Sequence, residues 1–414
     1  MSALTAVQAR RRFLFLLGLR WLPVGLMIPV TVLLPLERGL TLAEYGSAAA
    51  VQGIVVLLLE LPTGGLSDAL GRRPVLLLAG TVSVGALSLL TFAGSAVLFV
   101  VFYLLQGVYR ALDSGPLEAW YVDHALAADK NADIETGLSH SSAVTGVAIG
   151  VGALAGGGIV ALGRLGPFSA LTVPVLMALA LQAASLVAVA LLMTEERPGR
   201  GAGALVASVR AVPATIGGAV RMVRSRIIAA LIAVELFWGF GMVAFESLMP
   251  VRLTDVVGSS DTASALMGPS GSAAWLASAV GAALVPLLIR RIGAPWSGFV
   301  LRIAQGLTVV GMAALAGPAG VIGAYLLCYT VHGASNPVHA GLLHRQVAGQ
   351  YRASLISVNS MVSQPAGALG LVALTAIAVH AGVVAAMLVG AVALAAAAPL
   401  YLVARRPAPV PVSA

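Results

Sequence analysis

The chain is poor in charged residues and has almost no cysteine. Only 10% of its 414 residues are charged, against about 25% in a typical soluble domain. Its hydrophobic content of 59% must face lipid, where the backbone has to be helical or a closed barrel to satisfy its peptide groups. Alternating segments of about ten residues, which are typical of membrane barrels, are missing. The sequence therefore predicts an all-α integral membrane protein.

Other absences exclude whole classes of chemistry. The single cysteine, Cys328, excludes an internal disulfide and a site with several thiolate ligands. No set of His, Cys and carboxylate residues has metal-ligand spacing, and no Gly-x-x-x-x-Gly-Lys phosphate loop is present. No nucleophile and base stand out together. We therefore expect neither an enzyme nor an ATP-driven pump, and neither a metal nor a cofactor.

Long apolar runs recur along the whole chain, and roughly 20 apolar residues cross a bilayer as a helix. The run after Arg10–Arg12 is too long for a signal-peptide core, so we expect no cleavable signal. The longest polar segment divides six spans from six. It predicts an N-terminal half at 1–193, a cytoplasmic linker at 194–226 and a C-terminal half at 227–414. The twelve predicted spans are 13–35, 45–66, 74–93, 96–119, 138–162, 168–193, 227–249, 263–289, 297–316, 318–340, 353–379 and 381–403.

Basic residues test this count, because they concentrate in cytoplasmic loops. With both termini in the cytoplasm, the inner segments hold 18 Lys and Arg residues and the outer loops hold 3. Most of the net charge of +8 then lies on the inner face, which favours contact with membrane lipid. No aromatic residues alternate with these charges, so we expect no nucleic-acid partner. High glycine and alanine contents favour a high-GC bacterium, and hence its inner (cytoplasmic) membrane. We expect a multi-pass protein there, and we expect it to be a monomer.

A short polar turn between the second and third spans reads Gly64-Gly-Leu-Ser-Asp-Ala-Leu-Gly-Arg-Arg73. Gly64 and Gly71 permit close packing and a tight reversal. Asp68 can accept hydrogen bonds from a neighbouring helix end. Arg72 and Arg73 can bind carboxylates or lipid phosphates. The residue types therefore indicate a structural connection on the membrane surface.

This turn resembles the loop between the second and third helices of the major facilitator superfamily, with Ala69 in place of a basic residue. The stretch Gly152-Ala-Leu-Ala-Gly156-Gly157 is similar to the antiporter motif of span 5, with alanine in place of its proline. Leu288–Gly293 repeats the turn in the second half without its Asp. Glu60–Gly64 and Arg352–Ser357 resemble stretches of bacterial drug exporters. The resemblance covers essentially the whole chain.

The resemblance implies twelve transmembrane helices in two pseudo-symmetric six-helix halves, the major facilitator fold. It implies a substrate site between the halves near the midplane and transport by alternating access. The turn at 64–73 would hold the inner gate shut in the outward-facing state and release it when the halves rock.

A charge at membrane depth costs at least about 2.5–3.5 kcal/mol on insertion scales, so each one needs a reason. Glu235 lies about eight residues into span 7, roughly 12 Å deep at 1.5 Å per residue. We interpret it as the proton carrier. The alternative is a carboxylate locked in an ion pair that fixes helix packing. Glu246 shares its helix face, and Trp238 either stacks on an aromatic substrate or serves in packing.

Span 4 carries a second group of charges. Arg110 and Asp113 are three residues apart and can pair on one helix surface, while Pro116 can bend the helix ahead of Glu118. The resemblance implies that the basic residue belongs to a charge relay to the proton site. A purely structural pair is an equal alternative. Glu60, close to the polar turn, either faces the cavity or extends this network.

Arg20 in span 1 needs an acid partner, and Glu60, Glu118 and Glu235 are the candidates. Arg302, near the inner end of span 9, is expected to snorkel to the interface. His339 lies seven residues after His332 on one face of span 10, and packing is favoured over a proton relay for both. The candidate substrate-binding residues are Arg20, Trp238, Glu246, His332, Asn359 and Gln364.

These features imply a secondary transporter driven by the proton gradient. We expect proton-coupled efflux of a hydrophobic or amphipathic small molecule, as in multidrug efflux and antibiotic resistance. An apolar cavity with a few acids suits neutral or cationic compounds. A proton symporter or facilitator that takes up a small metabolite is the alternative on the same fold. A membrane sensor without transport is the second alternative.

Overall fold

The computed structural model describes residues 4–130, 132–194, 203, 225–346 and 352–405. Helices are the only regular elements in these ranges, apart from one isolated bridge between Leu165 and Phe168. In chain order they are α1 (Ala6–Met27), α2 (Leu33–Glu37), α3 (Leu42–Leu70), α4 (Arg72–Phe92), α5 (Ala96–Asp113), α6 (Pro116–Ala128), α7 (Ile134–Ala161), α8 (Val173–Leu192), α9 (Arg226–Glu246), α10 (Leu248–Val257), α11 (Ser260–Ile292), α12 (Ala294–Ala314), α13 (Pro318–His344), α14 (Arg352–Ala381), α15 (Val383–Ala396) and α16 (Ala398–Tyr401), with a 3-10 turn at Leu402–Arg405.

The helices account for the twelve predicted spans. Ten helical segments in the described part of the chain are long and apolar enough to cross a membrane. The helices α1 and α13 have 22 and 27 residues, which at 1.5 Å per residue also reach across a bilayer. The predicted all-α, twelve-helix architecture is confirmed.

The largest differences from the predicted spans lie at helix ends. The helix α1 begins at Ala6 because Thr5 and Gln8 form a capping box, each side chain bonding the other residue's backbone N–H. Span 4 is interrupted after Asp113, where Gly115 has φ +94° and Pro116 opens α6. Glycine permits that left-handed turn and proline suits the first helical position. The bend expected at Pro116 is thus a full break.

The chain clusters into two compact units. Unit 1 comprises Met1–Leu34, Val55–Val212 and Ser264–Ser272, and unit 2 comprises Pro35–Ile54, Pro213–Ala263 and Ala273–Ala414. Unit 1 thus includes a short stretch of α11, and unit 2 includes the first part of α3. The predicted linker at 194–226 lies almost entirely outside the described residues.

Each unit has its own apolar core. In unit 1, the rings of Phe13 and Tyr121 stack with centroids 4.7 Å apart, and Trp120 is buried beside them. In unit 2, Leu231 and Val338 belong to a cluster that also includes Tyr401. Both cores are bordered by buried charged side chains, and these define the candidate site.

Candidate functional site

A cluster of polar side chains lies buried in unit 2 and is called the C-terminal polar cluster below; it consists of Glu235, Arg302, His339, Asn359 and Tyr401. Glu235 on α9 and His339 on α13 are 6% and 5% exposed. The Glu235 Oε1 lies 3.2 Å from His339 Nε2. Asn359 hydrogen-bonds Glu235, and its Oδ1 lies 3.2 Å from the same His339 nitrogen. The acid predicted from sequence is therefore in contact with a second titratable group.

Tyr401 and Arg302 extend this cluster. The Tyr401 hydroxyl lies 3.0 Å from His339 Nδ1 and also hydrogen-bonds Arg302. Arg302 donates from Nη1 to Gln305 Oε1 at 2.6 Å. A continuous chain of polar contacts thus runs from Glu235 through His339 and Tyr401 to a guanidinium group.

The prediction that Arg302 snorkels to the interface is wrong. Its side chain is only 1% exposed, because Gly298, Leu301 and Gln305 on the same face of α12 are buried as well. Within the described part of the chain, Arg302 has no carboxylate at ion-pair distance, and its Nε lacks a hydrogen-bond partner. The sequence signal was Gln305, a polar residue one helical turn later on the same face.

The predicted substrate residues of unit 2 fall into two groups. One group lies in or next to the C-terminal polar cluster, and the other lies away from it. The Trp238 ring stacks on His332, with centroids 5.8 Å apart, one turn of α9 after Glu235. Asn359 lies in the cluster itself. Gln364 instead packs beside Gly53 of α3, and Glu246 is exposed at the end of α9.

Unit 1 contains a largely buried ion pair, between Arg20 on α1 and Asp113 at the end of α5. The Tyr109 hydroxyl hydrogen-bonds both partners. Asp113 is therefore the partner of Arg20, and the three acids proposed for that role are not. The predicted Arg110–Asp113 pair is also wrong, because Arg110 is exposed and forms no ion pair among the described residues, while Asp113 faces α1.

A small cavity of ≈ 20 Å³ adjoins this ion pair, which is room for about one water molecule. Tyr109, Gln182 and Ser185 contribute to its lining. The two residues from α8 escaped the sequence prediction, although two polar side chains three residues apart in an otherwise apolar span are a readable signal. Glu60 is half-buried on α3 and Glu118 is exposed in the first turn of α6; both belong to unit 1.

The polar turn brings its arginines onto two neighbouring helices of unit 1. Gly71 separates α3 from α4 with φ +95°, a conformation that glycine alone adopts cheaply. Arg72 binds the Ala119 carbonyl and, at 2.6 Å, the Asp123 carboxylate. The side chain of Asp68 lies outside the described residues, as does the environment of Gly64.

Arg73 contributes to a set of donors at the end of α8. It donates to the Ala190 carbonyl at 2.8 Å, and Arg12 donates to the Leu192 carbonyl at 2.7 Å. The last carbonyls of a helix have no partner within it and attract positive charge. The turn is thus bound to unit 1 through both of its arginines.

The glycines of span 5 are packing positions in unit 1. Gly152 lies against Gly25 of α1, and Gly156 lies against the Leu26 carbonyl. A Cβ at Gly157 would lie 2.7 Å from the Cα of Gly268, closer than real side chains approach. Small residues let membrane helices come together in this way, so the motif has a packing role here.

Twelve helices long enough to cross a membrane, with charged side chains buried on them, define a polytopic membrane protein in the described part of the chain. The chain belongs to the major facilitator superfamily, whose family model, described as Major Facilitator Superfamily, matches residues 13–371. No curated protein sequence matches the chain.

Solved structures of this superfamily share the fold at low sequence identity. The nucleoside transporter NupG is 13% identical, with a TM-score of 0.78 over 97% of this chain and 100% of its own. A bacterial homologue of the human lysosomal transporter Spinster, inward-facing and unoccupied, is 13% identical, with a TM-score of 0.76 over 96% of both chains. A POT family transporter in complex with 5-aminolevulinic acid is 15% identical, with a TM-score of 0.70 over 95% of both chains. At these identities the likeness shows the fold alone.

Proposed function

We propose that this transporter exports a hydrophobic or amphipathic small molecule, such as a drug or natural product, in exchange for protons. Glu235 is the proton carrier, and no cofactor takes part. The observation that carries the proposal is the buried contact between Glu235 and His339, 3.2 Å apart. Intramembrane acids and histidines of this kind are typical of proton relays.

The pair is suited to hold one exchangeable proton. With the proton on Glu235, the carboxyl group donates a hydrogen bond to the neutral imidazole. With the proton on His339, the imidazolium donates a hydrogen bond to the carboxylate. When the proton leaves, the Glu235 carboxylate keeps Asn359 as a hydrogen-bond partner. Neither state therefore leaves the acid without a partner, which an alternating proton site requires.

Arg302 supplies a permanent positive charge for the deprotonated state. It is fully buried, and its field acts on Glu235 across the cluster. With Glu235 ionised and His339 neutral, the cluster has no net charge, because the guanidinium balances the carboxylate. Tyr401 bridges the two ends, since it hydrogen-bonds both His339 and Arg302. Arg302 and Tyr401 are thus positioning residues for Glu235.

The remaining assignments extend the same proposal. The protein lies in a bacterial cytoplasmic membrane as a monomer, with both termini inside. The polar turn acts as the inner latch, with Asp68, Arg72 and Arg73 holding helix ends together during one half of the cycle. Membrane lipid, protons and the substrate are its partners.

Inverted membrane vesicles test the coupling. Vesicles with the wild-type chain should accumulate at least one member of a panel of lipophilic cations and neutral antibiotics when a proton gradient is imposed, and a protonophore should abolish this. Glu235→Gln should reduce the accumulation ratio to about one, because the amide does not take up and release a proton near neutral pH. Uptake by symport would instead give gradient-driven loss from such vesicles.

Glu44→Gln is the matched control. It makes the same chemical change at an exposed acid in the first turn of α3, where Glu44 accepts from the Thr41 backbone N–H at 2.8 Å. Glutamine is equally suited to this capping position. Normal gradient-driven accumulation in Glu235→Gln, or its loss in Glu44→Gln, would contradict the assignment of Glu235.

A further inference from the structure

Two half-buried rings in unit 2 form a surface that we call the aromatic shelf, made of Trp238 on α9 and His332 on α13. Their planes are 12° from parallel and their centroids are 5.8 Å apart. Phe245 and Tyr329 pack against His332 at 5.8 and 5.9 Å, at steeper angles. Because both shelf rings are partly exposed, a flat ligand can reach them.

The shelf carries two hydrogen-bond donors without acceptors. Asn336 Nδ2 lies 3.3 Å from His332 Nε2. With the Asn336 amide in this orientation its nitrogen donates to Nε2, which places the proton of the neutral ring on Nδ1. Within the described part of the chain, this Nδ1–H and the Trp238 Nε1–H are buried and have no partner. Buried donors are nearly always paired in proteins, so two unpaired ones on adjacent rings indicate a site for an acceptor.

We propose that the aromatic shelf binds the transported substrate, and that this substrate is a neutral, planar aromatic compound with a carbonyl oxygen. The ligand packs against the shelf with its carbonyl group at the ring edges, because a ring N–H lies in the plane of its ring. There the oxygen, which has two lone pairs, accepts from both N–H groups. The field of Arg302 acts on His332, which disfavours a cationic ligand. This inference rests on the proposed function, and it narrows the neutral or cationic class expected from the sequence.

A pair of probes that differ only in the acceptor tests the shelf. Fluorenone and fluorene are planar tricyclic compounds of the same shape, and only fluorenone has a carbonyl group. Equilibrium dialysis of the full chain in detergent gives the Kd of each. Wild-type protein should bind fluorenone about ten-fold more tightly than fluorene, as expected for two neutral hydrogen bonds.

Two conservative variants remove one donor each and keep a ring. Trp238→Phe and His332→Phe should each weaken fluorenone binding about three-fold and leave fluorene binding unchanged. Trp296→Phe is the control, because Trp296 lies on α12 against Phe299. It should change neither Kd, and size-exclusion chromatography confirms that every variant remains folded.

Three results would overturn the shelf: no fluorenone binding to wild-type protein, equal Kd values for the two probes, or a Trp238→Phe variant that weakens both probes equally. No proton gradient is present in this experiment. If the protein binds fluorenone more tightly than fluorene but shows no proton-driven accumulation in vesicles, the shelf proposal holds and the proposed proton coupling is wrong. If proton-driven accumulation occurs but the two probes bind equally, the proton coupling holds and the shelf proposal is wrong.

Discussion

The two units each bury an acid, but they pair it differently. Asp113 in unit 1 and Glu235 in unit 2 are almost equally buried, at 4% and 6% exposure. Asp113 is paired with Arg20, and arginine stays protonated under all conditions that proteins meet. Glu235 contacts His339, the one side chain that changes charge near neutral pH without being perturbed.

This difference separates a structural charge from an exchangeable one. A proton added to Asp113 would leave the Arg20 charge buried without its counter-charge, which is strongly unfavourable. A proton added to Glu235 breaks no contact with a guanidinium, because Arg302 is held by Gln305 and Tyr401 rather than by the acid, and His339 and Asn359 hydrogen-bond either form. Burial alone therefore does not identify a proton carrier; the partner of the acid does.

Breaking the ion pair of unit 1 should have the largest effect on stability. Asp113→Asn leaves the Arg20 guanidinium without an anion, so we expect a loss of about 3–5 kcal/mol. The double variant Arg20→Met with Asp113→Leu removes both charges and should recover most of this loss, because apolar replacements of buried pairs are often neutral. Thermal unfolding in detergent, followed by tryptophan fluorescence, measures both.

The recovery in the double variant is the decisive result, since it distinguishes a charge effect from a packing effect. If Asp113→Asn unfolds at the wild-type temperature, the pair contributes nothing and the comparison between the units fails. If the double variant is as unstable as the single one, the loss comes from packing around Tyr109 rather than from an unpaired charge.

A substitution that adds volume but changes no charge shows whether the stability of unit 1 is also sensitive to packing. Gly157→Ala places a methyl group 2.7 Å from the Ala265 carbonyl and the Gly268 Cα, which forces two helices apart. Overpacking of this kind costs about 1–3 kcal/mol. The adjacent Gly158→Ala has nothing within 4 Å of the added group and should be neutral. Equal unfolding temperatures for the two variants would remove the packing role given to the span 5 glycines.

The sequence was sufficient for the helix count but not for the partners of the charges. Hydropathy and the distribution of arginine locate twelve spans, because both depend only on the position of a residue along the membrane normal. The partner of Arg20 depends on which faces of α1 and α5 meet, and no pattern within either helix encodes that contact. Arg110 was the local alternative, three residues from Asp113, and tertiary packing overrode it.

The same limit explains what was missed in unit 2. Glu235 was identifiable as an isolated acid in an apolar span. The sequence favours packing for His339, and it does not encode the contact with Glu235, because that contact joins two helices that are distant in sequence. The short distance from Arg302 to the helix end predicts a place at the interface, whereas its burial follows from the face of α12 that it shares with Gln305.

The comparison between the two buried acids is tested most directly by the variant with the smallest expected effect on stability. Glu235→Gln is the same kind of change as Asp113→Asn, an acid replaced by its amide at a buried position. Here the amide keeps hydrogen bonds to His339 and Asn359, and Arg302, which is held by Gln305 and Tyr401, loses no ion-pair contact. We therefore expect the free energy of unfolding to change by no more than about 1 kcal/mol, although proton-driven accumulation is lost.

Thermal unfolding of Glu235→Gln beside Asp113→Asn, in the same detergent, decides between the two roles. A nearly unchanged unfolding temperature with lost coupling marks Glu235 as an acid retained for its proton, since its charge contributes little to folding. A loss as large as that of Asp113→Asn would mean that Glu235 is held ionised in a structural pair, with Arg302 as its counter-charge. The two units would then bury their acids for the same reason, and the proton carrier would have to be sought elsewhere.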